Sequence, residues 1–393
     1  MDADAARQRI IALAHQEGFP VVRFAPAAPM LEARQAALER HQEGDLAGMA
    51  WMTEEWLERA TDPGRFLAGA RTVVMVALGY RLPDRSITRA NDGARAQGRV
   101  AAYAAGRDYH RVFEKKLRRM AKVMREELGA AARPTVDYGP LLERPLAALS
   151  GMGWLGKSTM LLVPGFGPWV LLGAIATDLA LATDPPLKKS CGSCTRCIGA
   201  CPTGAISPAG AVLDARLCIS YHTIENRGPI PRELRPKFGS WIFGCDDCLE
   251  SCPVGAHGDA PPHPDFAAAS VEDERPELAA LLSLTDQEFG ERFRGRAIMR
   301  AKRDGFVRNV CVALGNVGTA GDLAALLGAL EDGSALVRGH AAWAAAELVT
   351  RLGVPGHAAA AAMAARLGRE EDDDTREELR LALAAVAEAA RRA

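Results

Sequence analysis

The chain has 393 residues, 48% hydrophobic and 25% charged, which is ordinary globular usage and excludes a disordered or fibrous protein. With 48 basic against 49 acidic residues the formal charge is −1, so no overall excess marks a nucleic-acid partner. The opening MDADAARQRIIALAHQEGF holds no apolar stretch of signal-peptide length, and the run Trp169–Ala176 is far shorter than the roughly 20 residues of a membrane span. A cytoplasmic protein without a membrane anchor is expected.

In chain order, residues 1–185 read as a mixed α/β domain of catalytic size. Helical periodicity runs over Asp4–Glu17 and Asp108–Leu128, and RTVVMVAL (Arg71–Leu78) and WVLLGAIAT (Trp169–Thr177) read as buried strands. Between them GMGWLGKST, Gly151–Thr159, satisfies both the dinucleotide fingerprint and the phosphate-loop pattern. Either mechanism needs a strand before the loop and a helix after it, so that phosphate meets a helix N-terminus. Upstream, ERPLAALS is helical in composition, and downstream Pro164, Gly165, Gly167 and Pro168 forbid a helix. Asp178 could imitate a magnesium-binding acid, but the expectation is a glycine-rich loop whose backbone approaches some large ligand.

From 186 to 260 the character changes to Cys, Pro and Gly, as expected where metal ligands replace part of a hydrophobic core. Four prolines from Gly255 to Pro276 mark a connection. Residues 278–393 are rich in Ala and Leu and carry a faint repeat: VRNVCVALG at Val307, VRGHAAWAA at Val337 and TREELRLAL at Thr375. Helix pairs of this kind stack as short HEAT-like solenoids with one face open to a partner.

Eight of the nine cysteines lie between Cys191 and Cys252, and without a secretory signal they read as metal ligands in a reducing compartment. CGSCTRCIGACP has the bacterial ferredoxin spacing, in which three cysteines hold one 4Fe–4S cluster and the fourth ligates the other. In the second group, CDDCLESCP, the missing first ligand would fall at Ile242, and Cys218 is the nearby cysteine left to replace it. Cys191, Cys194, Cys197 and Cys252 then hold one cluster, and Cys201, Cys218, Cys245 and Cys248 the other. The alternatives are a zinc-ribbon pair or a disulfide knot, although zinc sites favour two separated C-x-x-C pairs. Cys311, in the apolar VCVAL, is expected in the helical core.

The segments GRDYH (Gly106–His110), VDYGPLLERPLAALSGMGWLGKST (Val136–Thr159), CGSCTRCIGACPTGAI, LCISYHTIE (Leu217–Glu225) and FGCDDCLESCP together closely resemble the epoxyqueuosine reductase family, from about residue 5 to the C-terminal repeats. That family is cobalamin-dependent, acts at the last step of queuosine formation in tRNA, and is related in cofactor architecture to reductive dehalogenases. The resemblance implies an α+β multidomain protein: a mixed α/β cobalamin-binding domain, a ferredoxin-like domain with two 4Fe–4S clusters, and C-terminal HEAT-like repeats. It implies that electrons pass from an external low-potential donor through the clusters to base-off cobalamin, and that the epoxide oxygen of epoxyqueuosine at the tRNA wobble position leaves as water.

By the same resemblance Asp137 is the general acid, and Arg59, Tyr103, Asp137, Lys157, Ser158 and Ser220 contact the cofactor. Tyr109, His110, Asn226 and Arg227 lie toward the substrate. The familiar corrinoid signature Asp-x-His-x-x-Gly is absent, which agrees with a family in which no histidine replaces the cofactor's own base: His15 and His41 each precede a glycine by three, but Leu13 and Glu39 stand where the aspartate should be. Composition adds one support for tRNA. Between Glu291 and Arg308 lie Arg292, Arg294, Arg296, Arg300, Lys302, Arg303 and Arg308 against Glu291 and Asp304, a stripe suited to phosphate contacts, with Arg300 and Arg303 at its centre. The competing readings are a corrinoid reductive dehalogenase, which predicts a twin-arginine signal and no helical tail, and an electron-transfer module, which leaves residues 1–185 without a role. A monomer is expected.

Overall fold

A computed structural model describes residues 2–80, 95–255 and 262–392. Within the described residues the chain divides into two compact units, the first formed by Met1–Pro83, Arg107–Arg216 and Asp246–Ala267, the second by Asp84–Gly106, Leu217–Cys245 and Ala268–Ala393.

The first unit is built on a four-stranded antiparallel sheet in the order Val21–Pro26, Thr72–Gly79, Val170–Thr177, Ala132–Thr135. Every residue of Thr72–Gly79 is buried, which explains its unbroken apolar run in place of an alternating one. Ala132–Thr135 contains Pro134, which cannot donate to a ladder and sits where that matters least, on the sheet edge. Helix Tyr109–Leu128 buries Val112, Phe113, Leu117, Met120, Ala121 and Met124. At Gly173 a Cβ would come within 2.7 Å of Phe113, so the glycine lets this helix lie close on the sheet. The Asp108 side chain caps the helix by accepting the His110 N–H, and Gly129 ends it at φ 63°.

The glycine-rich loop is a small antiparallel hairpin, Trp154–Leu155 with Leu161–Leu162, and no helix follows it. The phosphate-loop pattern is therefore coincidental. Asp178 accepts the Ala131 N–H at 2.9 Å, beside the paired strand ends Ala132 and Thr177.

In the second unit helices Lys302–Val317, Ala335–Leu352 and Asp373–Arg392 pack one on the next, with the shorter Leu323–Gly328 and His357–Leu367 between them. The three repeat signals fall on these three long helices. Their core also takes in Ile219, Phe238, Trp241, Ile242 and Phe243. The cysteine segment thus departs from the single consecutive span of 186–260: Cys218 and Cys245 go with the helices, and the other six expected ligands with the sheet. Apolar residues beside Cys218 and Cys245 find their burial in the helical core, because so small a segment cannot build its own. Cys311 is fully buried there. Among the described residues no helix is long and apolar enough to cross a membrane.

Candidate active site and cluster ligands

Edge strand Ala132–Thr135 runs directly into Val136 and Asp137. Asp137 has φ 44°, left-handed backbone that costs a non-glycine residue about 1–2 kcal/mol unless contacts hold it. Contacts are present at each end of the residue. The Tyr109 hydroxyl donates to Asp137 Oδ2 at 2.6 Å, and His110 Nε2 lies 3.0 Å from the same oxygen. The Asp137 N–H donates to Glu143 Oε1 at 3.1 Å. His110 Nδ1 is 2.7 Å from Asp108 Oδ1, and its ring stacks on Tyr109 at 4.1 Å and on Tyr138 at 5.4 Å between centroids.

These contacts set the charge. Burial opposes a charge on the His110 imidazole, but hydrogen bonds to Asp108 and Asp137, with their negative charges, outweigh it and push its pKa up to about 9. At neutral pH both ring nitrogens therefore donate, and a proton stands between His110 Nε2 and Asp137 Oδ2. Against its own burial, Asp108 is held below the usual carboxylate range by His110. Glu143 keeps part of its surface in water, but its carboxyl is enclosed, and that enclosure followed by the charge of Asp137 pushes it well above the usual range. The site holds one dissociable proton on His110, beside the exposed Asp137 carboxyl.

Among the described residues no disulfide joins the nine cysteines. Burial raises the Cys197 thiol, and negative charge at Cys191, Cys252 and Cys194 raises it further, so the first expected ligand set is gathered at one place. Short helices Arg196–Ala200 and Asp247–Glu250 pack on each other and bring the two cysteine motifs together. Four thiols on short turns fit a 4Fe–4S cube, and no described group of three or more His, Cys, Asp or Glu closes on a single ion. Of the second set, Cys201 Sγ accepts the Ala205 N–H at 3.3 Å and lies 3.5 Å from Thr203 Oγ1, donors of the kind that tune a cluster.

Cys218 and Cys245 are fixed together in the second unit. Asn309 Nδ2 donates to the carbonyls of Thr223 and Ile242, both at 2.9 Å, and Gly244 N–H donates to Thr223 Oγ1 at 2.9 Å.

Among the expected cofactor contacts in the first unit, Arg59 is exposed in the last turn of helix Glu54–Ala60 and Ser158 is buried in the hairpin. Lys157 Nζ donates to the Gly192 carbonyl at 2.9 Å, one residue past Cys191. Tyr103, Ser220, Asn226, Arg227, Arg300 and Arg303 belong to the second unit. Tyr103 packs beside Phe243, and Ser220 lies in helix Ile219–Ile224. Asn226 closes a turn, its oxygen accepting the Gly228 N–H at 2.9 Å and its amide donating to the Pro229 carbonyl at 3.1 Å, while Arg227 is exposed.

The basic stripe is not one continuous surface. Arg308 is 1% exposed and donates to the carbonyls of His222, Asn226 and Gly228. Arg303 pairs with Asp332, Arg300 with Glu225 at 2.6 Å, and Arg296 with Asp273 at 2.5 Å. Arg292, Arg294 and Lys302 remain exposed. Sequence reasoning passed over Asp108 and Glu143; the signals were an acid two residues before His110 at a helix start, and an acid opening the helix after the Gly-Pro turn.

Sheet, cysteine turns and imidazole–carboxylate pair define an iron–sulfur oxidoreductase with a proton-bearing site. Residues 190–255 match the family described as 4Fe–4S double cluster binding domain, and residues 60–138 match epoxyqueuosine reductase QueG. The chain belongs to the epoxyqueuosine reductase family. It is 41% identical over 309 residues to the epoxyqueuosine reductase of Xanthomonas campestris, covering 78% of this chain and 86% of that protein. With the Escherichia coli K12 enzyme identity is 36% over 318 residues, 81% of this chain and 82% of that one. A crystal structure of epoxyqueuosine reductase with an epoxyqueuosine-modified tRNA-Tyr stem loop is similar at TM-score 0.89 and 28% identity, over 98% of this chain and 100% of that chain. A Bacillus subtilis epoxyqueuosine reductase, with its catalytic loop swung out of the active site, is similar at TM-score 0.87 and 27% identity, over the same shares.

Proposed function

We propose that this protein reduces the epoxide of epoxyqueuosine at the tRNA wobble position to the alkene of queuosine, with Asp137 as the proton donor. The reaction takes two electrons and two protons; both C–O bonds break and the oxygen leaves as water. The observation that carries the reading is the convergence of Tyr109 and His110 on Asp137 Oδ2 in a chain of this family. The Tyr109 hydroxyl and the two stacked rings orient the carboxyl, and His110 restores its proton after each transfer. The substrate itself is inferred from the relative bound to an epoxyqueuosine-modified stem loop.

Cobalamin fits the first unit on one structural ground. Trp154 Nε1, in the glycine-rich hairpin, is a buried donor with no acceptor, as expected where a bound molecule supplies one. Trp154, Lys157, Ser158, Arg59 and Asp137 would hold it. When bound, cobalamin supplies the cobalt centre that delivers reducing electrons to the epoxide, the two clusters and an external low-potential donor providing them. Helices Lys302–Val317, Ala335–Leu352 and Asp373–Arg392 are read as HEAT-like repeats, supported by their successive packing, and the exposed Arg292, Arg294 and Lys302 as phosphate contacts.

The test is nucleoside analysis of epoxyqueuosine-containing tRNA treated with cobalamin-loaded protein and a low-potential reductant. Queuosine is expected with the wild type. Asp137→Asn should lower turnover by about 10²–10⁴-fold with the cluster spectrum unchanged. Undiminished turnover in that variant removes Asp137 from the mechanism.

A further inference from the structure

We propose that Glu143 is the positioning residue of the Asp137 loop: its carboxyl reaches back to the Asp137 backbone N–H and keeps the loop where Asp137 meets Tyr109 and His110. The proposal rests on the reading of Asp137 as the proton donor. Four observations place Glu143 in this role. Asp137 stands at φ 44°, a conformation that an L-residue leaves unless it is held. The Glu143 Oε1 contact at 3.1 Å acts on the backbone, whereas Tyr109 and His110 hold the side chain that has to release its proton. A backbone anchor can persist while the carboxyl changes charge; the side-chain contacts cannot stay the same through that step.

The far end of the loop is itself fixed. Leu142 N–H donates to the Ala60 carbonyl at 2.8 Å, and Gly139 closes so tightly on Thr135 that a Cβ there would lie 1.6 Å from its Oγ1. Glu143, first residue of helix Glu143–Leu149, projects back from this fixed point across the turn.

The fourth observation is electrostatic. The groups facing the Glu143 carboxyl are Asp137, Arg144 and His110; enclosure and the charge of Asp137 raise its pKa, while the hydrogen bond from the Asp137 N–H, then Arg144 and His110, pull against them without cancelling the rise. The upward push favours the neutral form of Glu143, which holds the loop without a second negative charge beside Asp137 and leaves the positive charge of His110 to Asp137. A carboxamide of the same shape keeps that arrangement, since its oxygen accepts the same N–H and carries no charge.

The experiment compares Glu143→Ala with Glu143→Gln by amide hydrogen exchange over residues 136–142 and by steady-state kinetics. Glu143→Met, equal in length but without an acceptor, replaces the alanine variant should that one not fold. Loss of the acceptor is expected to speed exchange of the segment about tenfold and to lower kcat about tenfold, with KM for tRNA little changed, a factor equivalent to about 1.4 kcal/mol. Glu143→Gln is expected to restore both. Wild-type exchange and kcat in the alanine or methionine variant overturn the proposal. So does a glutamine variant as impaired as alanine, which would make the carboxyl proton itself part of the chemistry. Exchange is measured without substrate, so it decides the role of Glu143 even if the wild type proves unable to reduce epoxyqueuosine.

Discussion

Asp108→Asn tests the charge state of the proton site most directly. His110 lies between two carboxylates, Asp108 at 2.7 Å and Asp137 at 3.0 Å, and its pKa stands at about 9 against an ordinary 6.5. Asparagine keeps an oxygen for Nδ1–H and serves as well as aspartate at a helix N-cap, so geometry and helix start survive while one negative charge is lost. Burial opposes the charge in both forms, so with the two carboxylates contributing comparably the loss of one removes at least half of the net rise, roughly one pH unit or more. At pH 8 the protonated fraction of His110 then falls from about nine-tenths to about one-half or less.

The assay is kcat/KM for epoxyqueuosine tRNA across pH, with cluster absorbance and tRNA affinity as controls. Because the protonated form is the active one, activity is present on the acid side and lost as pH rises, with a midpoint near 9 in the wild type and near 8 or below in the variant. Stability follows the same sign. The contribution of His110 is complete below its ordinary pKa of 6.5 and disappears as pH rises through about 9. A wild type without an alkaline limb, or a variant whose limb has not moved, refutes the assignment of the proton to His110.

Cys218→Ala should lower bound iron from about eight to about four atoms per chain, whereas Cys311→Ala should leave it at about eight, read by iron analysis and EPR of the reduced protein. Burial drives the Cys311 thiol well up, out of reach of metal and oxidant. Arg308→Met should destabilise the second unit by about 3 kcal/mol, about 1 kcal/mol for each of the three carbonyls it leaves without a donor, measured by denaturant unfolding. Arg292→Ala with Arg294→Ala should weaken tRNA binding and reduce the slope of log affinity against log salt by about two, since each exposed cation accounts for about one released counterion.

Much of the first unit was legible because its signals are local. The strands around Val73 and Ile175 announce themselves as unbroken apolar runs, and the helix after Asp108 by its cap and period. Cysteine spacing pointed to a ferredoxin motif because such a motif carries its geometry in short turns, and the fold brings Cys197 within electrostatic reach of Cys191, Cys194 and Cys252. What escaped was whatever depends on burial or on contacts across the fold. Arg308 counted as one more positive charge in a stripe, although it is the internal tie of the 222–228 turn. Glu143 looked like an ordinary acidic residue at a helix start. Nor did the sequence show that the Asn226 amide closes its own turn.

Asn309 carries a wider consequence. Seen from helix Lys302–Val317, its amide clasps the segment after Cys218 and the strand before Cys245, and two turns further along Asn316 grips the Arg235 and Gly239 carbonyls at 2.8 and 3.0 Å. The helical tail is therefore no detachable accessory. A chain truncated before this helix would lose the contacts that hold the segments beside Cys218 and Cys245 in place, so the proposed second cluster depends on a tail that contributes no ligand to it.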